Sequence, residues 1–375
     1  MEKNLNLTCP LNSMGYGVVA WNFLITLQKM GVNTALWPIG NPQILHGTQE
    51  EGQLVQQCKH NAVMFNQYAP SLRIWHQFDM SQHVGKGLRC GLPFFELNRF
   101  YPNERHHLGY LDRILAPSSW AKEIITREIP YFNADDVHIV PMGVDREIFS
   151  DESTSRQTYN DATVFLNMGK WEVRKGHDIL VDAFNDAFEQ DDDVILIMAC
   201  ENPFLDDTQS KEWIDSYKKS KMGGKVVLTN RLKTHREVAE LMATSHCGVF
   251  PSRGEGWNME ALEMMSMGKE LIITDYSAHS DFCSIDNSRI IPVETVEPAY
   301  DGIWFKGNPN DRGQVPEWGH IGDVQYEALV AHMRDVHKAR QDGSLGINEA
   351  GIETAKRLSW ENATEHLLRA MDLTE

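Results

Sequence analysis

Ser252-Arg253-Gly254-Glu255-Gly256-Trp257-Asn258-Met259-Glu260-Ala261-Leu262-Glu263 is the stretch on which the reading of this chain turns. The apolar run Cys247-Gly248-Val249-Phe250-Pro251 leads into it and reads as a short buried strand. Gly254 and Gly256 permit a tight turn and close backbone approach. Met259, Leu262 and Met265 then recur at helical spacing until Gly268 stops the run. Strand, glycine loop and helix N-terminus follow one another, and the free N–H groups and dipole of such a terminus suit a phosphate. Glu255 sits in the loop and Glu263 about two turns into the helix. A carboxylate repels phosphate but accepts hydrogen bonds from sugar hydroxyls. A phosphate-binding terminus flanked by two carboxylates therefore suits a nucleotide sugar.

Working outward, the 375 residues are enough for two domains, and 42% hydrophobic with 23% charged is ordinary for a globular enzyme. No run of about 18 uncharged apolar residues suggests a membrane-spanning helix, and the N-terminus lacks a signal-peptide apolar core. Cys9, Cys58, Cys90, Cys200, Cys247 and Cys283 are scattered without a C-x-x-C pair, which favours reduced thiols in a cytoplasmic protein over disulfides or zinc. The net charge of −18 is uneven: residues 1–150 carry 12 Lys/Arg against 13 Asp/Glu, and the remainder 23 against 40. Either the second part has more solvated helix, or the first part meets an anionic acceptor.

Near the N-terminus, the strand Leu5–Pro10 runs into Gly15-Tyr16-Gly17 and a helix with Val18, Trp21, Leu24, Ile25 and Leu27 on one face, ended by Gly31. This again has the shape that cradles phosphates, with a plain tight turn as the alternative. It is not G-x-G-x-x-G, and the next strand, Thr34–Trp37, ends on Pro38 rather than on a ribose-binding acid, so a dinucleotide site is not expected. Ala62–Phe65 and Leu72–His76 read as strands. His76 and Asp79 stand at the C-terminal end of the second, where open α/β sheets bind ligands. They read equally well as contacts to an acceptor hydroxyl or as satisfied structural groups. Ser150–Gln157 is polar and featureless, a domain boundary. After it, strand Thr163–Met168 leads into Gly169-Lys170-Trp171-Glu172-Val173-Arg174-Lys175-Gly176. Lys170 and Lys175 beside a strand end can clamp a diphosphate and stabilise a leaving group. Asp191-Asp192-Asp193 contains a D-x-D metal signature, but it precedes the buried strand Val194–Met198, at the edge of the sheet away from the ligand end.

Taken in order, these segments resemble the retaining glycosyltransferases of family 4, which have the GT-B fold. Glu255 and Glu263 stand as the family's E-x7-E, with Trp257 for its Phe, Asn258 for its second Gly and Glu260 for its Pro. Gly169 to Gly176 resembles G-R-x-x-x-x-K-G, with Lys170 for Arg; Asp112–Ser118 resembles D-x-I-W-A-P-S; Val137–Phe149 resembles V-I-P-N-G-V-D-x-x-x-F, with Met142 for Asn; Leu358–Ala363 resembles F-S-W-E-x-x-A. The resemblance implies two doubly wound Rossmann-like domains facing across a cleft: residues 1–155 on the acceptor side, residues 156–357 binding the nucleotide sugar, and a C-terminal helix at 358–375 crossing back to the first domain. It implies transfer of a hexose from a UDP- or GDP-linked sugar to a glycan, glycolipid or other hydroxyl acceptor, with retention and without a metal or other cofactor. Lys170, Lys175 and the N–H groups of Gly256, Trp257, Asn258 and Met259 would hold the diphosphate, Glu263 the ribose, and Glu255 the donor sugar. Gly15, Tyr16 and Gly17 would approach the donor phosphates, and Arg231 and Leu232 the nucleobase. A GT-B phosphorylase or epimerase, a transferase acting on phage-type DNA, and a non-catalytic nucleotide-sugar-binding member are the alternatives. The −18 charge disfavours nucleic acid.

Overall fold

The computed structural model describes residues 3–44, 48–150, 162–230, 232–308, 310 and 312–374. It divides into two compact units: Met1–Val144 with Lys233–His235 and Arg357–Glu375, and Asp145–Leu232 with Arg236–Lys356. Residues 151–157 of the expected linker lie outside the described residues.

In the first unit, β1 (Asn4–Cys9), α1 (Gly15–Lys29), β2 (Asn33–Pro38), α2 (Gln49–Asn61), β3 (Ser71–His76), β4 (Arg89–Phe94), α3 (Pro102–Leu108), β5 (Arg113–Ala116), α4 (Ser119–Glu128) and β6 (Val137–Ile139) alternate. The strands form a parallel sheet in the order β2-β1-β3-β4-β5-β6. The central strands are buried on both faces, with apolar Leu5, Leu7, Cys9, Leu72 and Ile74 alternating with buried polar Asn6, Thr8 and Arg73. Residues 62–64, expected as part of a strand, instead extend α2 as a 3₁₀ turn. The reason lies upstream. Thr48 and Glu51 form a reciprocal capping box that starts a helix at Gln49, and Val63 and Met64 point to solvent.

The second unit repeats the scheme with β7 (Thr163–Gly169), α5 (His177–Ala187), β8 (Val194–Cys200), α6 (Asp207–Lys218), β9 (Val226–Leu228), α7 (His235–Ala243), β10 (Cys247–Phe250), α8 (Met259–Ser266), β11 (Glu270–Asp275) and β12 (Arg289–Pro292). Its parallel sheet runs β12-β11-β10-β7-β8-β9. The core clusters on Phe165, Leu180, Phe184, Leu196, Met198, Tyr217 and Val249. β13 (Val296–Pro298) and β14 (Glu317–Gly319) pair antiparallel. Then come α9 (Asp323–Gln341), α10 (Glu349–Arg357) and α11 (Trp360–Ala370). α11 belongs to the first unit: Trp360 packs edge-on to Phe23 at 5.3 Å, and the Arg113 guanidinium donates to the Ala370 carbonyl.

Both sheets are doubly wound. In the second, the chain leaves β7 toward β8 and β9 and later crosses to β10 on the other side. β7 and β10 are therefore neighbours whose outgoing loops diverge. Such a switch point, at the C-terminal ends of parallel strands, is where open α/β sheets bind ligands.

Candidate active site

Two loops meet at that switch point, residues 169–176 after β7 and residues 251–258 after β10. Contact is close because of Gly176, which takes the left-handed conformation (φ +73°) with α5 starting behind it. A Cβ here would come within 2.1 Å of the Pro251 carbonyl oxygen. Arg253 N–H donates to the Arg174 carbonyl at 2.7 Å, and the Arg253 guanidinium grips Asp178 of α5 with two bonds of 2.8 Å. Beneath, Asn167 of β7 donates to the Val249 carbonyl of β10 at 2.7 Å and meets His177 Nε2 at 2.9 Å.

Between the loops lies a buried charge cluster. Arg174 donates to Glu172 Oε2 at 2.7 and 3.0 Å, to the Gly254 carbonyl at 2.7 Å and to Glu255 Oε2 at 2.8 Å. Lys175 Nζ and Ser252 Oγ donate to Glu255 Oε1 at 2.8 and 3.0 Å. Lys170 Nζ reaches Glu172 Oε1 at 2.9 Å from a half-exposed position, with the Phe204 ring on its other side. Burial by itself would raise the Glu255 carboxyl; the Arg174 and Lys175 charges overcome this and hold it far below the ordinary carboxylate range. Glu172 is likewise pulled down against burial, by Arg174 and Lys170. Lys170, Arg174 and Lys175 face Glu172 and Glu255, and Glu260 at the start of α8 adds a further negative charge near Lys175. The Glu255 oxygens accept three side-chain bonds of the roughly four a carboxylate can take, which leaves room for one further donor.

α8 begins beside this cluster. Its N-cap is Asn258, at φ +88°, where a residue without a β-carbon or a short polar one is tolerated. Asn258 Oδ1 accepts the Ala261 N–H at 3.2 Å, and its Nδ2 donates to His279 Nε2 at 2.9 Å. His279 Nδ1 donates to the Thr274 carbonyl at 3.0 Å, which fixes the tautomer, and burial lowers the imidazole to about 4. Asparagine thus supplies the backbone conformation expected of the family's glycine and adds a cap. Glu255 N–H is held by Ser277 Oγ at 2.8 Å. Gly256 and Trp257 are buried in the loop, and Met259 is half-buried. Trp257 stacks obliquely on Phe282, and its buried indole N–H has no partner among the described residues.

Glu263 is buried on α8, and among the described residues its carboxyl has no hydrogen-bond partner. Burial first, then the neighbouring charges of Glu260 and Asp145, push it well above the ordinary range. Its oxygens are nevertheless not sealed off, so a ligand hydroxyl can reach and donate to them. Leu232 is half-buried in the loop between β9 and α7, and Arg231 lies outside the described residues.

The remaining expected residues belong to the first unit. Gly15, Tyr16 and Gly17 open α1, with Tyr16 OH donating to the Phe94 carbonyl at 2.8 Å. Tyr16 and His76 meet at 4.6 Å between ring centroids, and His76 stacks on the exposed Phe78 at 4.9 Å. Asp79 is the counter-ion of the buried Arg73, at 2.7 Å. Asp191-Asp192-Asp193 precedes β8, at the end of the sheet remote from the cluster; the Asp193 carbonyl accepts the Thr163 N–H.

The sequence of residues 162–302, which holds β7 to β12 and the whole charge cluster, matches the family described as Glycosyl transferases group 1. These residues form a group 1 glycosyltransferase domain. Solved structures agree on the fold over the full length. A glycosyltransferase from Rickettsia africae ESF-5 superposes with a TM-score of 0.67 at 13% identity, over 99% of this chain and 98% of its own. Anabaena Alr3699/HepE, solved in complex with UDP-glucose, gives 0.67 at 13% identity over 100% of both chains. Sucrose-phosphate synthase from Thermosynechococcus elongatus gives 0.70 at 12% identity over 98% of both. The fold is GT-B. No curated protein sequence matches the chain. No helix among the described residues is long and apolar enough to cross a membrane.

Within the glycosyltransferase domain, sequence reasoning picked out Lys170, Lys175, Glu255 and Glu263 but passed over Arg174, Glu172, Ser252, Arg253, Ser277 and His279. Arg174 was visible as a third cation in Lys170–Lys175, with Glu172 between. Its link to Glu255, across 81 positions, was not.

Proposed function

We propose that the chain is a retaining glycosyltransferase that moves a hexose from a nucleotide diphosphate sugar to the hydroxyl of a glycan, glycolipid or other acceptor. The observation that carries this reading is the Arg174–Lys175–Glu255 cluster at the switch point of a domain matched by the group 1 family. The Anabaena neighbour solved with UDP-glucose favours a UDP-linked donor.

In this reading Lys170, Arg174 and Lys175 hold the diphosphate together with the open N–H groups at the start of α8. The Glu263 carboxyl accepts from ribose hydroxyls. Glu255, kept ionised, uses its remaining acceptor capacity on the donor sugar and stabilises positive charge at the anomeric carbon. The bond from that carbon to the phosphate oxygen breaks, and the bond to the acceptor oxygen forms on the same face. The leaving phosphate takes the acceptor proton, so no separate base is required. Gly15, Tyr16 and Gly17 stay beside the donor phosphates in this reading, and His76 and Asp79 on the acceptor side.

The test is NMR of the anomeric proton after incubation with UDP-glucose or GDP-mannose and a panel of saccharide acceptors. A product with the donor's anomeric configuration, lost in Glu255→Gln while nucleotide binding persists, is expected, and Lys175→Ala should weaken nucleotide binding. An inverted product, or full activity in both variants, would sink the assignment.

A further inference from the structure

A second group of polar side chains gathers at the other end of the same sheet. His246 stands immediately before β10 and Lys269 immediately before β11, so both lie at the N-terminal ends of parallel strands whose C-terminal ends carry the cluster. They line a cavity of about 320 Å³ together with Arg340 of α9 and the turn that contains Leu345 and Gly346. The volume is at the lower end of small-molecule pockets.

What faces this cavity is a set of donors without acceptors. Lys269 Nζ donates to the Ala243 and Ser245 carbonyls at 3.1 and 2.9 Å. An ammonium has three donors, so one remains. The Val164 N–H is aimed at His246 Nδ1 at 3.0 Å. Arg340 Nε–H is aimed at His246 Nε2 at 3.1 Å. A neutral imidazole accepts at one nitrogen only, so one of these two donors is left without an acceptor. Protonation of His246 brings no relief, and burial together with the Arg340 and Lys269 charges lowers it to about 4. Among the described residues neither Lys269 nor Arg340 has a carboxylate partner. The nearby acids are engaged elsewhere: Glu270 pairs with Arg289 at 3.1 Å, and Asp342 accepts the Ser344 N–H at 3.0 Å.

We propose that this cavity binds the phosphoryl group of a small molecule, at a site separate from the donor cluster. Two unneutralised cations call for two negative charges, and a phosphate carries close to that number near pH 7 on three acceptor oxygens. The fork of Arg340 suits such an anion. The third Lys269 proton would supply a further bond. The shared chemistry is the phosphoryl group, whether it arrives as free phosphate or as a monoester. The inference stands independently of the proposed transferase activity.

Calorimetric titration of the full chain with inorganic phosphate and with glucose 6-phosphate, at constant ionic strength and with chloride as the non-specific control, tests it. Saturable binding of either probe is expected, weakened at least tenfold by Arg340→Gln and unchanged by Lys170→Met. Binding of the ester alone would assign the site to a phosphorylated metabolite; equal binding of both, to the phosphate itself. Binding no better than chloride, or lost in Lys170→Met and kept in Arg340→Gln, overturns the proposal. Should Arg340→Gln fail to fold, hydrogen exchange of the wild-type chain with and without phosphate decides between the sites. Slowed amides at residues 343–347 support the cavity, and slowing confined to residues 252–262 refutes it.

Discussion

Glu255→Gln and Glu263→Gln are the same chemical change eight positions apart, yet the structure assigns them opposite effects on stability. Glu255 is one pole of a buried cluster. Replacing it by the isosteric amide removes the charge opposite Arg174 and Lys175 and sets an NH₂ group against donors on one side. Breaking a buried ion pair by removing one partner costs about 3–5 kcal/mol. For a unit of this size each kcal/mol lowers the melting temperature by roughly 2–4 °C, so a fall on the order of 10 °C is expected. Glu263 has no partner to lose, and its folded-state carboxyl sits above the ordinary value. A carboxyl raised on folding binds more protons in the native state, so it lowers stability progressively as pH climbs above the unfolded value of about 4.3. Glu263→Gln removes that loss, and the variant without nucleotide should melt above wild type at pH 7.5 while binding nucleotide more weakly. The gap should narrow as pH falls toward 5. Differential scanning calorimetry, following the transition that responds to nucleotide, measures both. A Glu255→Gln variant within about 2 °C of wild type, or a Glu263→Gln variant less stable than wild type at pH 7.5, would refute the reasoning.

Asn258→Gly keeps the left-handed backbone and loses the cap, whereas Asn258→Ala also places a β-carbon at φ +88°; calorimetry should find the alanine variant less stable than the glycine variant by about 1–2 kcal/mol. Gly176→Ala should cost more than a surface substitution, because its methyl meets the Pro251 carbonyl and separates the two loops; lower stability together with weaker nucleotide affinity would check this. His177 and His279 are fully buried and lowered to about 3 and 4, chiefly by burial. Their unfolded forms take up protons below about 6.5, so the stability they lend is present above that pH and is lost as pH falls toward the folded values. Each should account for on the order of 1 kcal/mol by pH 5.5, read as a drop in melting temperature between pH 7 and 5.5 that His279→Asn reduces.

The fold was legible because the apolar runs and glycine breaks alternate in chain order, and Thr163–Gly176 and Cys247–Glu263 each carry strand, loop and helix start without interruption. Other elements were hidden by local signals. β4 contains Gly91 and Pro93, which interrupt a strand pattern, yet its ladder to β5 is made only through Cys90 and Gly91, so Pro93 removes no donor from that side. Ala62–Phe65 has strand-like composition but follows a capped helix, and the chain continues that helix as a 3₁₀ turn. In the site, Lys170 to Lys175 is contiguous and its charges could be read together. The partnership of Arg174 with Glu255, and the grip of His279 on Asn258, join loops that only the sheet order brings side by side. Spacing along a sequence fixes the neighbours on one helix or loop; it does not say which loops a switch point places in contact.

Isothermal titration of UDP, GDP and ADP and their common sugar conjugates, with EDTA present, tests the central claim most directly. One nucleotide diphosphate should bind saturably to wild type and at least tenfold more weakly to Lys175→Ala and Glu263→Gln, with Arg340→Gln unaffected. A flat panel, or a nucleotide whose affinity ignores Lys175 and Glu263, would contradict the assignment of the cluster as a donor site.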